Sequence, residues 1–515
     1  MGNEPALRMV MSGVALCLCL GSGDSPLPSQ AQAAPVAPSG YTLTVDKNEN
    51  RGTWEGWGCS FAWWAHAVGG KKYQDLYADL FFTAKTVPFL DKQLPGLNMN
   101  IIRYNVGGGG RRETYENAVE KVPDILKWHR DIDGYWIDWG SKDPQSKSWD
   151  WTRDVNQRAM VKAAIARGVN IVEFFSNAPM WWMMDSKSSA GGRLQAHNRR
   201  DFAHYLSTVT KYAQDNWGVK VDYVQPFNEP SAGWWNFPKN QEGANIGRAE
   251  QKEILGYLRE ELDKQGLQKV AITASDENNM KSARETHEYF KAQTVLVNGQ
   301  ERNVAALVDK VNVHSYQGLA PWRDNEARRA LRESVGATRL WANEFANPDG
   351  GGMVLAQTIM EDLNFLRPTA WLYWQVLEPS SGWGLVNGKF AETADDPNSG
   401  EPSWVYYTYY AMAQFTRFLS PGLKIIGSND PNSVVAYDAA KRQLVLITVN
   451  YAKAQSITYD LSGLQEVGVS GTVTTTNTNG SKLFQPSPIE VKDKRVTLEA
   501  EAKSIYSTVI EGVIL

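Results

Sequence analysis

Two kinds of hydrophobic pattern alternate along residues 51–420. Short apolar runs recur eight times, and stretches with the spacing of amphipathic helices separate them. This alternation is typical of a parallel sheet built from β-α units, and eight units predict a closed (β/α)8 TIM barrel. The predicted strands begin near Trp57, Asn100, Asn170, Asp222, Val270, Lys310, Arg339 and Ala370.

The helical spacing is clearest in two of the intervening segments. In each, apolar residues recur every three or four positions, which places them on one face of a helix. The two sets are Ile254, Leu255, Leu258 and Leu262, and Leu355, Ile359, Leu363 and Leu366. We expect these faces to pack against the barrel strands.

The pattern changes near residue 421, where helical periodicity stops. Leu444–Val449 is a run of residues that favour β-strands, and Gly471–Asn479 is rich in Thr, Asn and Gly. These features predict an antiparallel β-sandwich domain over residues 421–515. The alternating run Tyr41–Val45 precedes the barrel, so residues 41–50 are expected to add one strand to that sandwich.

The N-terminus has the pattern of an export signal. An apolar stretch, Met9–Leu20, follows Arg8, and Ala31-Gln32-Ala33 matches the small-residue pattern at which signal peptidases cut. We predict a signal peptide at residues 1–33, a linker at 34–40, and a secreted, soluble, extracellular protein. The apolar stretch is too short to span a bilayer, so no membrane insertion is expected.

Composition narrows the classes of function. A net charge of -4 lacks the basic excess expected of a nucleic-acid-binding protein. The motifs of zinc peptidases, zinc ribbons and α/β-hydrolases are absent, and no metal or cofactor is implied. Cys59 is the only cysteine outside the predicted signal peptide, so no intramolecular disulfide is expected. The 20 Trp and 21 Tyr suit either core packing or stacking on sugars.

Two glutamates follow predicted barrel strands, where the active site of this fold lies. Glu229 follows Val221–Asn228, and Glu344 follows Leu340–Asn343. Strands four and seven face each other across the barrel mouth, so the two carboxyl groups can flank one glycosidic bond. A retaining glycosidase needs them about 5–5.5 Å apart.

Other interpretations of these glutamates compete with catalysis. A strand-end glutamate can form a salt bridge with a loop arginine, and Asn-Glu-Pro alone is a weak signal. Glu173 lies inside a predicted strand, whereas Glu277 and Glu378 end the predicted strands five and eight. We expect Glu277 and Glu378 to orient neighbouring residues.

The order of several short motifs resembles glycoside hydrolase family 30, whose members combine a (β/α)8 barrel with a side β-sandwich. The resemblance covers nearly the whole chain after the predicted signal peptide. It implies that Glu229 is the acid/base and Glu344 the nucleophile. The matching segments are Gly56–Ser60, Arg103–Gly108, Ser176–Met183, Asn228–Pro230, His314–Tyr316, Asn343–Phe345 and Trp371–Gln375.

Charge and position suggest roles for polar residues near these motifs. Arg103 could lower the pKa of the nucleophile, and Asn228 could donate a hydrogen bond to the sugar 2-hydroxyl group. His314 and Tyr316 follow the sixth strand, where the tyrosine hydroxyl could donate to the nucleophile. Trp181, Trp374 and Trp383 are candidates for sugar stacking. A barrel-mouth salt bridge, a core tyrosine and ordinary cleft walls are the structural alternatives.

The segment Trp54–Ala65 most resembles the endo-β-1,6-galactanase branch of the family. This resemblance implies a monomeric enzyme that hydrolyses β-1,6-galactan, such as the side chains of arabinogalactan. The alternatives are a β-1,6-glucanase, a xylanase, a glucosylceramidase and a carbohydrate-binding protein without activity. A charged xylan would call for a basic residue after strands seven and eight, where only Arg367 occurs between Phe345 and Gly388.

Overall fold

The computed structural model describes residues 40–110, 125, 127–316, 324–379 and 382–515. The predicted signal peptide and residues 34–39 of the predicted linker lie outside the described residues. The barrel and the C-terminal sheet domain belong to one compact unit. No helix in the described ranges is long and apolar enough to cross a membrane.

Eight parallel strands close into a barrel in the order in which they occur along the chain. Each begins within one residue of its predicted start, so the predicted (β/α)8 barrel is confirmed. We number them barrel strands 1 to 8: Gly56–Ser60, Ile101–Asn105, Ile171–Phe175, Tyr223–Gln225, Ala271–Glu277, Lys310–His314, Arg339–Glu344 and Ala370–Tyr373. Because all strands run the same way, their C-terminal ends meet at one mouth.

Helices surround the barrel, and the apolar residues predicted to face it are buried. Leu363 and Leu366 lie in a π-helical turn, Asp362–Leu366, that continues the eighth helix. Within the described residues the α-helices, α1 to α9, are Trp64–Val68, Gln74–Phe82, Val155–Ile165, Arg199–Tyr212, Arg248–Lys264, Met280–Lys291, Asn325–Val335, Met353–Glu361 and Tyr407–Thr416.

The C-terminal domain is a nine-stranded sheet that includes the N-terminal strand Gly40–Thr53. That strand pairs antiparallel with Lys424–Ser428 and parallel with Gln455–Asp460, so the sheet is mixed. The other pairs in this sheet are antiparallel. Its remaining strands are Ser433–Asp438, Gln443–Asn450, Ser470–Asn477, Gln485–Glu490, Arg495–Ala500 and Ser504–Ile510.

In the strand Gln443–Asn450, residues 444–447 are all apolar because both faces of the strand are buried. Leu444 and Leu446 face the core of the sheet domain, whereas Val445 and Ile447 face the larger core shared with the barrel. Successive side chains of a strand point to opposite faces, and here both faces are covered. Helix α9 lies in the shared core, so the sheet domain is packed on the barrel.

Several small sheets form within the loops that connect the barrel strands and helices. The described pairs are Thr86–Phe89 with Lys92–Pro95, Ala190–Arg193 with Gly243–Asn245, and Thr294–Val297 with Gln300–Asn303. A further sheet contains Leu377–Glu378, Val386–Lys389 and Glu401–Val405. The prediction that Glu378 ends the eighth barrel strand is therefore wrong: strand 8 ends at Tyr373, and Glu378 belongs to this separate sheet.

Candidate active site

Glu229 and Glu344 reach the barrel mouth from different kinds of backbone. Glu344 is the last residue of barrel strand 7, as predicted. Glu229 does not end strand 4, which stops at Gln225 because Pro226 has no N–H to continue the ladder. Glu229 lies in the following turn with φ at 48°, although non-glycine residues rarely adopt positive φ. Its backbone N–H donates to the carbonyl of Asp276 at 2.8 Å, which fixes the turn.

The two carboxylates are close neighbours. One carboxylate oxygen of Glu229, one of Glu344 and a ring nitrogen of His314 all lie within 4.8 Å of one another. Nδ1 of His314 is 3.1 Å from Oε1 of Glu229 and 3.4 Å from Oε1 of Glu344. Both glutamates are more than nine-tenths buried, so their charges are poorly screened by water.

Arg103 is the main cation beneath this pair. The side chain is fully buried, donates from Nη1 to Oε2 of Glu344 at 2.8 Å, and donates from Nη2 to Oδ2 of Asp276 at 2.6 Å. Its guanidinium lies 4.0 Å from the ring centroid of Phe175. Arg103 therefore holds Glu344 in one orientation, as predicted, and also binds a second carboxylate.

Asp276 is a site residue that the sequence did not reveal. It accepts from Arg103 and from Asn343, and its Oδ2 is 3.2 Å from Nε2 of His314. A register shift interrupts strand 5 between Ser275 and Glu277, so Asp276 joins Arg103, His314 and Glu344 at the mouth. Although burial favours the neutral acid, the charges of Arg103 and His314 lower the pKa of Asp276 to about 2.

His314 lies between three carboxylates. Burial alone would lower its pKa, but the negative charges of Glu344 and Asp276 outweigh burial and raise the pKa to about 10. The imidazole is therefore a cation at neutral pH and a donor from both nitrogens.

Burial raises the pKa of Glu344 above its ordinary value, while His314 and Arg103 act in the opposite direction. Arg103 thus lowers this pKa as predicted, but its effect does not dominate. The Tyr316 hydroxyl donates to Oε1 of Glu344 at 3.2 Å, which is the predicted contact. Burial, followed by the charge of Glu344, raises the pKa of Tyr316, so the phenol remains a donor.

Two asparagines adjoin Glu229. Asn278 donates from Nδ2 to Oε1 of Glu229 at 2.6 Å and was not predicted. Asn228 is buried, and its Oδ1 has no hydrogen-bond partner among the described residues. A buried amide oxygen without a partner is uncommon, so this side chain is suited to bind a polar group of a ligand.

Of the predicted stacking residues, Trp374 lies near Arg103. It is half-buried and packs in a small cluster with Phe175, the residue that lies against Arg103. Trp63, which was not predicted, meets Trp374 edge to face at 5.2 Å between ring centroids. Trp181 is buried and packs against Trp139, whereas Trp383 is 37% exposed and accepts a hydrogen bond from Tyr373 through its carbonyl.

The competing glutamates have other partners. Glu173 is inside the barrel, where it accepts hydrogen bonds from Lys310, Asn312 and Asn343. Glu277 accepts from Ser231 and Thr286 and so orients the loop after Glu229, as expected. Glu378 accepts from Gln375, and burial raises its pKa to about 7.

The sequence and fold match known glycosidases. The family model for O-glycosyl hydrolase family 30 matches residues 40–382. An endo-beta-1,6-galactanase of Hypocrea rufa is 36% identical over 499 residues, which cover 95% of this chain and 99% of that protein.

Solved structures agree in fold. A conserved exported protein of Bacteroides fragilis has a TM-score of 0.73 at 20% identity, with 91% of this chain and all of that chain covered. The catalytic domain of a xylanase C from Talaromyces cellulolyticus has a TM-score of 0.65 at 19% identity, again covering 91% of this chain and all of that chain. With the family model and the full-length relative, the chain belongs to glycoside hydrolase family 30 and is an O-glycosyl hydrolase.

Proposed function

We propose that the enzyme is a retaining endo-β-1,6-galactanase in which Glu344 is the nucleophile and Glu229 the acid/base. The observation that carries the mechanism is the spacing: a carboxylate oxygen of each lies within 4.8 Å of the other. Retaining glycosidases keep their carboxyl groups about 5–5.5 Å apart, whereas inverting enzymes need about 6.5–9.5 Å to admit a water molecule.

In the first step, Glu344 attacks the anomeric carbon of the sugar. The bond from that carbon to the glycosidic oxygen breaks, and Glu229 gives its proton to the leaving oxygen. Arg103 and His314 surround the carboxylate of Glu344 with positive charge, which favours its ionised form. A covalent glycosyl-enzyme and a shortened glycan result.

In the second step, Glu229 removes a proton from water, and the resulting oxygen nucleophile displaces Glu344 from the anomeric carbon. The product keeps the β configuration because the carbon is inverted twice. Asn228 lies directly before Glu229 with a free acceptor, and its amide N–H can donate to the sugar 2-hydroxyl. Such a contact strengthens as positive charge develops on the sugar ring.

The proposed substrate rests on the relative from Hypocrea rufa, which matches along almost its whole length. Charge around the barrel supports a neutral glycan. Arg367, the only basic residue in 345–388, precedes strand 8 and pairs with Glu49 at 2.6 Å. It thus lies at the end of the barrel opposite the mouth, where it cannot meet a charged branch of a bound xylan.

Initial rates on de-arabinosylated arabinogalactan, β-1,6-glucan and glucuronoxylan would test the substrate. We expect the galactan to be cleaved fastest and to yield galacto-oligosaccharides of mixed length. Faster cleavage of β-1,6-glucan would assign a different substrate while leaving the roles of Glu229 and Glu344 intact. Release of a single short product from the earliest times would contradict endo action.

We also propose that the enzyme is exported and acts outside the cell. The support is the sequence pattern of residues 1–33, together with a substrate too large to enter a cell. N-terminal sequencing of the protein recovered from the culture medium of its native host should begin after Ala33. Recovery of the full-length chain only from the cell interior would contradict export.

A further inference from the structure

A cavity of about 400 Å³ lies between the barrel and the sheet domain, and four arginines line it: Arg51, Arg329, Arg332 and Arg367. Arg329 and Arg332 are on α7, which precedes strand 7, and Arg367 precedes strand 8. The cavity is therefore at the N-terminal ends of these strands. A six-residue strand separates it from Glu344 by about 20 Å.

The arginines retain unused hydrogen-bond donors. Arg51 donates to Asn364 at 2.7 Å and Glu49 at 2.9 Å, but its Nε is buried without a partner among the described residues. The Arg51 side chain is only 8% exposed. Arg367 donates from Nη2 to the same Glu49 at 2.6 Å. The carboxylate of Glu49 thus accepts hydrogen bonds from the guanidinium groups of both Arg51 and Arg367.

Of the three arginines on α7, the two that line the cavity, Arg329 and Arg332, lack a carboxylate partner in the described part of the chain. The guanidinium of Arg329 lies 4.4 Å from the ring centroid of Phe365, which orients it without neutralising it. Arg332 donates from Nη2 to the backbone carbonyls of Gly336 and Thr338. Burial and the charge of Arg367 both lower the pKa of Arg332, as expected for cations that repel each other.

The carboxylates that line the cavity do not balance these charges. Four arginines line it against two carboxylates, Asp430 and Glu333. Asp430 accepts hydrogen bonds from neutral donors, Tyr41 at 2.9 Å and Ser433 at 2.6 Å, and forms no ion pair with these arginines among the described residues. Glu333 is exposed and forms no ion pair with Arg329 or Arg332, within the residues described. The cavity therefore presents excess positive charge and free planar donors, which match an oxyanion.

We propose that this cavity is a second carbohydrate-binding site, which holds the carboxylate of a uronate sugar unit against Arg51, Arg329 and Arg332. Its volume is in the range of pockets for small organic molecules and exceeds what a single inorganic ion fills. The choice of a sugar acid over another oxyanion rests on the proposed function. Such a site would hold an acidic glycan at the end of the barrel opposite the mouth.

Isothermal titration calorimetry with methyl β-D-glucuronide, methyl β-D-galactoside and sodium sulfate, at constant ionic strength, tests this proposal. We expect the wild-type enzyme to bind the glucuronide and to show no comparable binding of the galactoside at this site. Arg329→Glu should weaken glucuronide binding at least tenfold, and Arg332→Gln should weaken it less. Arg329 suits charge reversal because it is exposed and makes no hydrogen bond within the described ranges.

Arg284→Glu is the matched control, because Arg284 is an exposed arginine on α6 that does not line the cavity. It should leave glucuronide binding unchanged, and all three variants should cleave neutral β-1,6-galactan at the wild-type rate. Glucuronide binding that Arg329→Glu does not alter, or equal affinity for sulfate and glucuronide, would overturn the proposal. An enzyme that binds the glucuronide through Arg329 but does not cleave galactan would contradict the proposed function alone.

Discussion

Two groups of buried carboxylates in this barrel differ in how completely they are hydrogen-bonded. Glu173, in the barrel interior, accepts from Lys310 at 2.6 Å, from Asn343 at 2.9 Å and from Asn312 at 3.1 Å. Both of its oxygens have donors. Although burial lowers the pKa of Lys310 to about 8, its ammonium is the nearer of two cations beside Glu173, at 2.6 Å, and Nε of Arg103 is 3.5 Å from the other oxygen.

At the mouth, both oxygens of Glu344 have donors, and Glu229 is the carboxylate that is less completely satisfied. Oε1 of Glu229 accepts a hydrogen bond from Asn278 and faces Nδ1 of His314. Oε2 of Glu229 has no partner among the described residues. One oxygen of Glu344 accepts a hydrogen bond from Arg103, and the other accepts one from Tyr316. Oε2 of Glu229, an oxygen without a partner, can hold or accept a proton. Burial is common to both groups, so burial alone does not identify catalytic residues.

Replacing the mouth carboxylates should have the largest effect. Glu344→Gln and Glu229→Gln should each reduce kcat by about 10³-fold or more, because each removes a nucleophile or a proton donor. Their melting temperatures should stay near that of the wild type. Azide should restore turnover of an activated galactoside to Glu229→Ala with β-azide product, and to Glu344→Ala with inverted product. Near-normal kcat in Glu344→Gln would show that Glu344, like Glu173, has no direct role in the reaction.

Breaking the interior ion pair should instead affect stability. Lys310→Met removes the nearer cation of Glu173 and leaves only Nε of Arg103, 3.5 Å away; breaking a buried ion pair typically costs about 3–5 kcal/mol. We expect a lower melting temperature in differential scanning calorimetry. Lys291→Met is the control, because Lys291 forms an exposed ion pair with Glu288 at 3.0 Å, and such pairs contribute little. Equal melting temperatures for the two variants would show that Glu173 does not need its partner.

His314→Gln should move the pH dependence of the reaction. Glu344 must be ionised to attack, so activity is lost as pH falls through its raised pKa. Because His314 lowers that pKa, removing its charge should shift the acid limb of kcat/KM to higher pH. Loss of a charged hydrogen bond should also slow the reaction by about 10–100-fold. An unchanged acid limb would indicate that His314 is not charged in the free enzyme.

The smallest effect is expected at Asn228. Asn228→Ala should lower kcat/KM by about 3–10-fold, the value of one neutral hydrogen bond. The loss should disappear on a 2-deoxy galactoside, which lacks the hydroxyl that Asn228 is proposed to bind. Asn245→Ala is a control, because its amide donates to the Ala232 carbonyl at 3.3 Å. If Asn228→Ala slows both substrates equally, the residue positions Glu229 and does not contact the sugar.

The sequence predicted the barrel well because the signal is local. Apolar runs and helical spacing recur in each β-α unit, and all eight strand starts were found within one residue. The sheet domain was also predicted, since Leu444–Val449 faces two cores and is rich in apolar and β-branched residues. The parallel pairing of the strands Gly40–Thr53 and Gln455–Asp460 was not, because it joins segments about 400 residues apart and leaves no local pattern.

The site was predicted only in part. Glu344, Arg103, His314 and Tyr316 follow from strand positions, and the structure brings them together. Asp276 was missed because the register shift in strand 5 makes it, and not Glu277, the partner of the buried cations. The arginine cavity was missed for another reason: its members come from residues 51, 329–332 and 367, which only the tertiary fold assembles.

Covalent trapping tests the central claim most directly. The enzyme would be incubated with a 2-deoxy-2-fluoro β-1,6-galactobioside that carries a good leaving group, digested, and analysed by tandem mass spectrometry. The account predicts one fluorosugar adduct per molecule, attached to Glu344. An adduct on Glu229, or no adduct together with an α-configured first product in ¹H NMR, would contradict the roles assigned to the two glutamates.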